Sequence, residues 1–333
     1  IGARHAGEAF GENYELPNAT AYNETCAAIA NIFWNQRLFL LHGDAKYIDV
    51  VERTLYNGFL GGVGFSGDLF FYPNPLASDG QSNFNVGEGC TRSPWFKTSC
   101  CPTNVVRFLP SLPGYVYAQR GDDVYVNLFL AGEATLTSAS HAFHITQQHN
   151  YPWDGAIKLT VTPDNPVEFT LCLRIPGWAQ NQPVPSDLYQ YLDNNPEPVT
   201  LTVNGQPIAF ASEQGFVRLH RTWQAGDVIE LNLPMPVRRV VSHPAVLENR
   251  EKVAVERGPL VYCGEGIDNG GHVLDAVLHN DAAFNVAFAP ELLNGVAVIR
   301  ATQRTAADLV LIPYYAWSHR GVGEMAVWLG RQG

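Results

Sequence analysis

Of 333 residues, 46% are hydrophobic and 16% charged, and 32 acidic against 21 basic side chains leave a formal net charge of −11. That composition excludes a disordered chain, and no apolar run is long enough to span a bilayer as a helix. It also argues against a nucleic-acid partner, which would need a concentrated Lys/Arg surface, whereas a neutral small ligand meets no such obstacle.

The length predicts two or three domains. The opening residues, Ile1-Gly2-Ala3-Arg4-His5, show neither an initiator methionine nor the pattern of a signal segment, so the natural start is expected upstream. Six cysteines are too few for a disulfide scaffold in a chain of this size, which leaves thiols or metal ligands. Free thiols favour a cytoplasmic setting, with periplasm or export still open.

Residues 7–18, GEAFGENYELPN, carry Glu8, Glu12 and Glu15 in a polar, glycine-punctuated stretch. Carboxylates ahead of a helix usually cap it or complement its dipole, although one of them could serve as a general acid. Residues 22–41 place Tyr22, Cys26, Ile29, Ala30 and Phe33 at helical spacing, with Asn18 and Thr20 available as N-caps. His42-Gly43 ends that helix and Asp44 caps a second, whose Tyr47, Ile48, Val51 and Leu55 repeat the period until the glycines of residues 58–64. The pair forms an αα-hairpin. Residues 64–99 hold no period and read as a long functional loop, followed by a short helix after Pro102 that leads to Tyr117.

Beyond Tyr117 the texture alternates, as in Val124, Val126, Leu128 and Leu130, then Ile157, Leu159 and Val161. Asn204-Gly205 between Leu201/Val203 and Ile208/Phe210 predicts a tight hairpin, and Gly226-Asp227 precedes another strand. Regular turns imply a β-sandwich, and a second series from about Val253 to Trp328 implies another. Residues 181–198 read as a Pro/Asn-rich surface loop.

Glu24-Thr25-Cys26 opens the first helix and Cys100-Cys101 the last, so three thiols and a carboxylate could converge. Zinc favours such a donor set, yet the spacing matches no zinc finger. From chemistry alone, metal binding and plain packing of Cys26 with an ordinary Cys100-Cys101 loop pair stay equally open. His141, His144 and His149 read as surface residues of a strand rather than a second metal site, Cys90 as a spare thiol, and Cys172 and Cys263 as core.

The runs GExFGxxYELPN, ETCA, FFYPNPL and PWF…SCCPTN resemble glycoside hydrolase family 127, the β-L-arabinofuranosidases. The resemblance continues through YPWDG, LRIPGWA, VNG, VERGPLVYC and PYYAW. It implies a multidomain α and β chain, with part of an (α/α)6 barrel in residues 1–118 and β-sandwiches in 119–240 and 241–333. It implies zinc held by Glu24, Cys26, Cys100 and Cys101, Cys100 as nucleophile, Glu8 as acid/base and Tyr72 near the sugar. The implied activity is exo-acting, retaining release of β-L-arabinofuranose from an oligosaccharide or glycoside, with self-association through the sandwich domains left open. Alternatives are the same mechanism on another pentose or an acidic deoxy-sugar, or a non-catalytic, zinc-braced carbohydrate-binding protein. The resemblance also places several barrel helices, and the family's sugar-binding histidines, upstream of Ile1.

Overall fold

The computed structural model describes residues 9–138, 141–304 and 306–333. The fold is β-rich, and among the described residues its α-helices lie between Thr25 and Val116. Helix α1 runs Thr25–His42 and α2 runs Ala45–Arg53, continuing into a π-helical turn at Thr54–Phe59. Gly43 adopts φ 72°, the left-handed cap that glycine accepts without strain, and its N–H donates to Phe39 O at 2.7 Å. Asp44 accepts from Lys46 N at 3.0 Å, so the expected cap of α2 is present.

The start and the buried face of α1 differ from expectation. Its N-cap is Glu24 rather than Asn18 or Thr20, because Thr25 N donates instead to Tyr72 O at 3.0 Å, a contact made across the fold. Ile29, Ile32, Gln36 and Phe39 are buried, whereas Ala30 is exposed and Phe33 half-buried. The helix is apolar nearly all round, so its periodicity could not select a face; packing against α2 and a neighbouring sheet does.

Helix α3 spans Cys100–Phe108, starting ahead of Pro102 rather than after it. Proline is accepted there because the first turn of a helix needs no N–H from it. A 3₁₀ turn at Leu109–Ser111 and a short α4 at Pro113–Val116 lead into the first long-sheet strand, Tyr117–Arg120.

Among the described residues the longer strands form three sheets. A four-stranded sheet runs Phe216–Trp223, Val167–Arg174, Asp123–Val126, Tyr117–Arg120, with the middle pair parallel. A six-stranded antiparallel sheet has Asp227–Asn232 and Ala156–Pro163 at its centre. Its hairpin Thr200–Val203 to Gln206–Pro207 turns through Asn204 (φ 52°) and Gly205 (φ 74°), two left-handed residues in succession as the Asn-Gly pair predicts. Val124, Val126, Leu171, Leu173, Leu159, Val161 and Ile229 share one core between these two sheets. Tyr125, Cys172 and Phe216 point the other way, into the core beneath α1, α2 and α3. The four-stranded sheet is thus buried on one face and, around Tyr125, Cys172 and Phe216, on the other, while Arg218, His220 and Glu168 leave the rest of that second face exposed. Cys172 and, in the third sheet, Cys263 are core residues as expected.

The third sheet gathers eleven strands, chiefly from Val237–Ser242 onward. Residues 181–198 are more than a surface loop. They contribute Tyr189–Tyr191, which pairs with Val237–Ser242, and Arg238 lies 3.8 Å over the Tyr191 ring. Between α2 and the four-stranded sheet, fully buried Arg174 reaches Glu52 and Asp49 at 2.5 and 2.7 Å. Tyr151 and Trp178 donate to the same Glu52 carboxylate at 2.8 and 3.3 Å, completing the satisfaction that a buried charge needs. No helix among the described residues is long and apolar enough to cross a membrane.

Candidate metal centre

The openings of α1 and α3 meet, and residues 61–92 hold the opening of α1 and the Tyr72 segment beside them. Thr25 Oγ1 donates to Phe71 O at 2.8 Å, and Asn74 Nδ2 donates both to Thr25 Oγ1 and to Asn23 O. Fully buried Asn85 accepts from Tyr72 N and donates to Thr91 O, each at 2.8 Å, which locks the segment carrying Tyr72. Arg92 donates to Gly61 O and Trp317 O at 2.8 Å and lies 4.3 Å over the Phe71 ring. Burial pulls its guanidinium down to about 9. Tyr72 itself is held edge-on by Phe96 and Tyr22.

Gly62 is the close approach that makes this possible, since a Cβ there would sit 2.1 Å from Thr25 Oγ1 and 2.8 Å from Thr25 Cγ2. Gly62→Ala is expected to destabilise the fold by about 1–3 kcal/mol, the usual cost of forcing volume into a packed contact. Urea unfolding checks this, and an unchanged midpoint would show that Thr25 yields freely.

Glu24, Cys26, Cys100 and Cys101 each bring one ligand atom into a group lying within 4.8 Å of one another. Cys26 Sγ is 3.5 Å from Cys101 Sγ, Cys100 Sγ is 4.0 Å from Cys101 Sγ, and Glu24 Oε1 is 3.5 and 3.6 Å from Cys100 and Cys101. Tetrahedral zinc with Zn–S near 2.3 Å and Zn–O near 2.0 Å needs sulfur–sulfur edges of about 3.8 Å and sulfur–oxygen edges of about 3.5 Å. The donor set therefore fits such a cation in both chemistry and spacing.

The three thiols differ in how readily they ionise. Burial pushes Cys100 up to about 11, and the hydrogen bond with Cys26, then burial, pushes Cys101 higher still. Cys26 is lowered, first by its hydrogen bond with Cys101. In the bare cluster Cys100 and Cys101 therefore resist ionising, and a cation would be needed to offset all three sulfurs as thiolates beside a carboxylate. The N-termini of α1 and α3 add a smaller favourable field.

Tyr72 Oη lies 3.0 Å from Cys100 Sγ, and burial, followed by that hydrogen bond, raises its phenol well above the ordinary value. It therefore stays protonated and available as a donor to sulfur. The expected acid/base residue, Glu8, lies outside the described residues, as does the side chain of His141. His144 Nδ1 sits 3.0 Å from Thr135 Oγ1 and His149 accepts from Tyr151 N at 3.2 Å; neither joins a metal-ready group among the described residues. Cys90 instead donates to Gly80 O at 3.3 Å. Sequence reasoning missed Asn85, Arg92 and Gly62, whose work depends on contacts remote in the chain.

A β-rich chain whose helical third assembles one carboxylate and three thiols at two helix openings defines a protein with a thiol cluster able to hold a metal ion. Residues 1–114 match the catalytic domain of the family 127 beta-L-arabinofuranosidases, residues 123–235 the middle domain and residues 237–330 the family's C-terminal domain. The chain belongs to glycoside hydrolase family 127, a family of enzymes.

It is 36% identical, over 369 aligned positions, to a non-reducing end beta-L-arabinofuranosidase of Bifidobacterium longum subsp. longum, covering 99% of this chain and 52% of that one. Among solved structures, a family 127 beta-arabinofuranosidase superposes with a TM-score of 0.93 at 48% identity, over 100% of this chain and 53% of that one. A family 127 beta-L-arabinofuranosidase from Geobacillus stearothermophilus T6 gives 0.89 at 38% identity, over 100% and 53%. The chain thus spans about half the length of these relatives.

Proposed function

We propose that the protein is a retaining glycoside hydrolase that releases β-L-arabinofuranose from the non-reducing end of a glycoside, with Cys100 as nucleophile and zinc at the Glu24, Cys26, Cys100 and Cys101 cluster. The observation that carries this reading is the convergence of those four donors with Tyr72 on Cys100. Cys100 is half-buried and Cys101 fully buried, which supports Cys100 as the sulfur that a sugar can reach. Zinc, when bound, supplies a charge that keeps its sulfur ligands ionised at neutral pH.

The Cys100 sulfur attacks the anomeric carbon, forming a C–S bond as the glycosidic C–O bond breaks. A carboxylic acid, assigned to Glu8 on the family resemblance, protonates the departing oxygen. The resulting carboxylate then takes a proton from water, whose oxygen bonds the anomeric carbon as the C–S bond breaks, so configuration is retained. The Tyr72 hydroxyl donates to the sulfur each time it regains its negative charge.

The same reading places residues 1–118 in an (α/α)6 barrel and 119–240 and 241–333 in two β-sandwiches. Trp34 and Leu41, 67% and 70% exposed on α1, suit a helix that packs against further helices. The relatives are about twice as long, so activity assays belong to a polypeptide of that length.

The metal is testable on this chain directly. Elemental analysis is expected to find about one zinc per chain, and Cys26→Ser or Cys101→Ser to lower that occupancy. Unchanged zinc in both variants would remove the assignment.

A further inference from the structure

The three sulfurs of the cluster are not chemically alike, because different groups face them. Tyr72 Oη meets Cys100, and the buried Cys101 sulfur has Cys26, Cys100 and Glu24 around it. Cys26 meets a side-chain amide: Asn104 Nδ2 donates to its sulfur at 3.0 Å. The orientation of that amide is fixed by a second contact, in which Arg107 Nη2 donates to Asn104 Oδ1 at 2.8 Å. A guanidinium has no acceptor, so Oδ1 must face Arg107 and the N–H must face sulfur. Asn104 lies one turn beyond Cys100 on α3, and Cys26 lies in the first turn of α1, so this bond also ties together the two helices that carry the donors.

We propose that Asn104, oriented by Arg107, is a positioning residue that holds the Cys26 sulfur as a permanent ligand of damped charge. An N–H bonded to a thiolate stabilises its lone pair, which lowers its nucleophilicity, and fixes the direction in which the sulfur meets the metal, which favours binding. Cys26 is thereby kept as an anchor, and the division of labour among the sulfurs follows: Cys26 and Cys101 remain bound while Cys100, facing Tyr72, is the one that works on substrate. Outer contacts of this kind typically change metal affinity roughly 10- to 100-fold when removed.

This rests on the metal reading above, and the test separates the two. Cobalt(II) is titrated into the apo chain and its sulfur-to-cobalt charge-transfer band recorded; zinc affinity is measured by competition with a chromophoric chelator. Asn104→Ala is expected to weaken zinc roughly 10- to 100-fold and to move the cobalt band to longer wavelength, because the sulfur lone pair is no longer stabilised. Arg107→Leu, which alters no atom in contact with the cluster, is expected to move both in the same direction by less, since the amide is then free to turn. A bound wild type with unchanged band and affinity in Asn104→Ala overturns the role of Asn104 and leaves the metal centre standing. No cobalt band in the wild type overturns both. Should Asn104→Ala fail to fold by circular dichroism, the exposed Arg107 position decides alone, and an unmoved band in Arg107→Leu overturns the proposal.

Discussion

Cys100→Ser is expected to lower turnover of an aryl β-L-arabinofuranoside by roughly 10⁴-fold or more, because a serine hydroxyl stays protonated near neutrality and cannot replace an ionised sulfur as nucleophile. The zinc content of the variant is measured alongside, so that loss of a ligand is not mistaken for loss of the attacking atom. A thiol-reactive arabinofuranose analogue is expected to add its sugar mass to the peptide holding Cys100. Glu8→Gln behaves differently in this scheme. A good leaving group needs little protonation, so the glycosyl-enzyme still forms and then accumulates as water attacks without its base. A label on Glu8 or Glu24 instead of Cys100 would return the enzyme to a two-carboxylate mechanism.

Arg174→Leu is expected to cost about 3–5 kcal/mol of unfolding free energy, the usual result of removing one partner from a fully buried ion pair. Glu52 is 1% exposed and Arg174 0%, so bulk solvent does not reach the pair. The loss should also depend on pH. Asp49, the second carboxylate on Arg174, is pushed up to about 6 from 3.8, chiefly by burial and against the pull of that arginine. Without the cation its folded pKa rises further. A carboxyl whose folded pKa exceeds its unfolded value binds more protons when folded, so its contribution is retained below the unfolded value and lost as pH rises through the folded one. The deficit of Arg174→Leu relative to wild type is therefore expected to be larger at pH 8 than at pH 5 in urea titrations. A deficit independent of pH would mean that Asp49 titrates in the variant as it does beside the arginine.

The candidate site was legible to unequal depths. Glu24-x-Cys26 and Cys100-Cys101 stood out because thiols next to helix openings are an uncommon local pattern, and the structure brings all four donors within 4.8 Å. Asn85 and Arg92 left no such trace: an asparagine in a glycine-rich loop and an arginine before Ser93 look like surface residues. In the fold, Asn85 is fully buried and Arg92 is 8% exposed with its donors on main-chain carbonyls.

Features carried by a few adjacent residues were determined by the sequence alone. The Asn204-Gly205 hairpin follows from two residues that accept left-handed backbone, the end of α1 from Gly43, and the start of α2 from the Asp44 side chain. Tertiary structure alone decided which face of α1 is buried, that Glu24 caps it, and that residues 189–191 join the third sheet. Such choices depend on burial and hydrogen bonds between residues remote in the chain, and an apolar helix or a proline-rich loop is compatible locally with several of them. The meeting of α1 and α3 at the thiol cluster is of that second kind, since Thr25, Gly62, Phe71 and Asn74 must all pack before the four donors share one space.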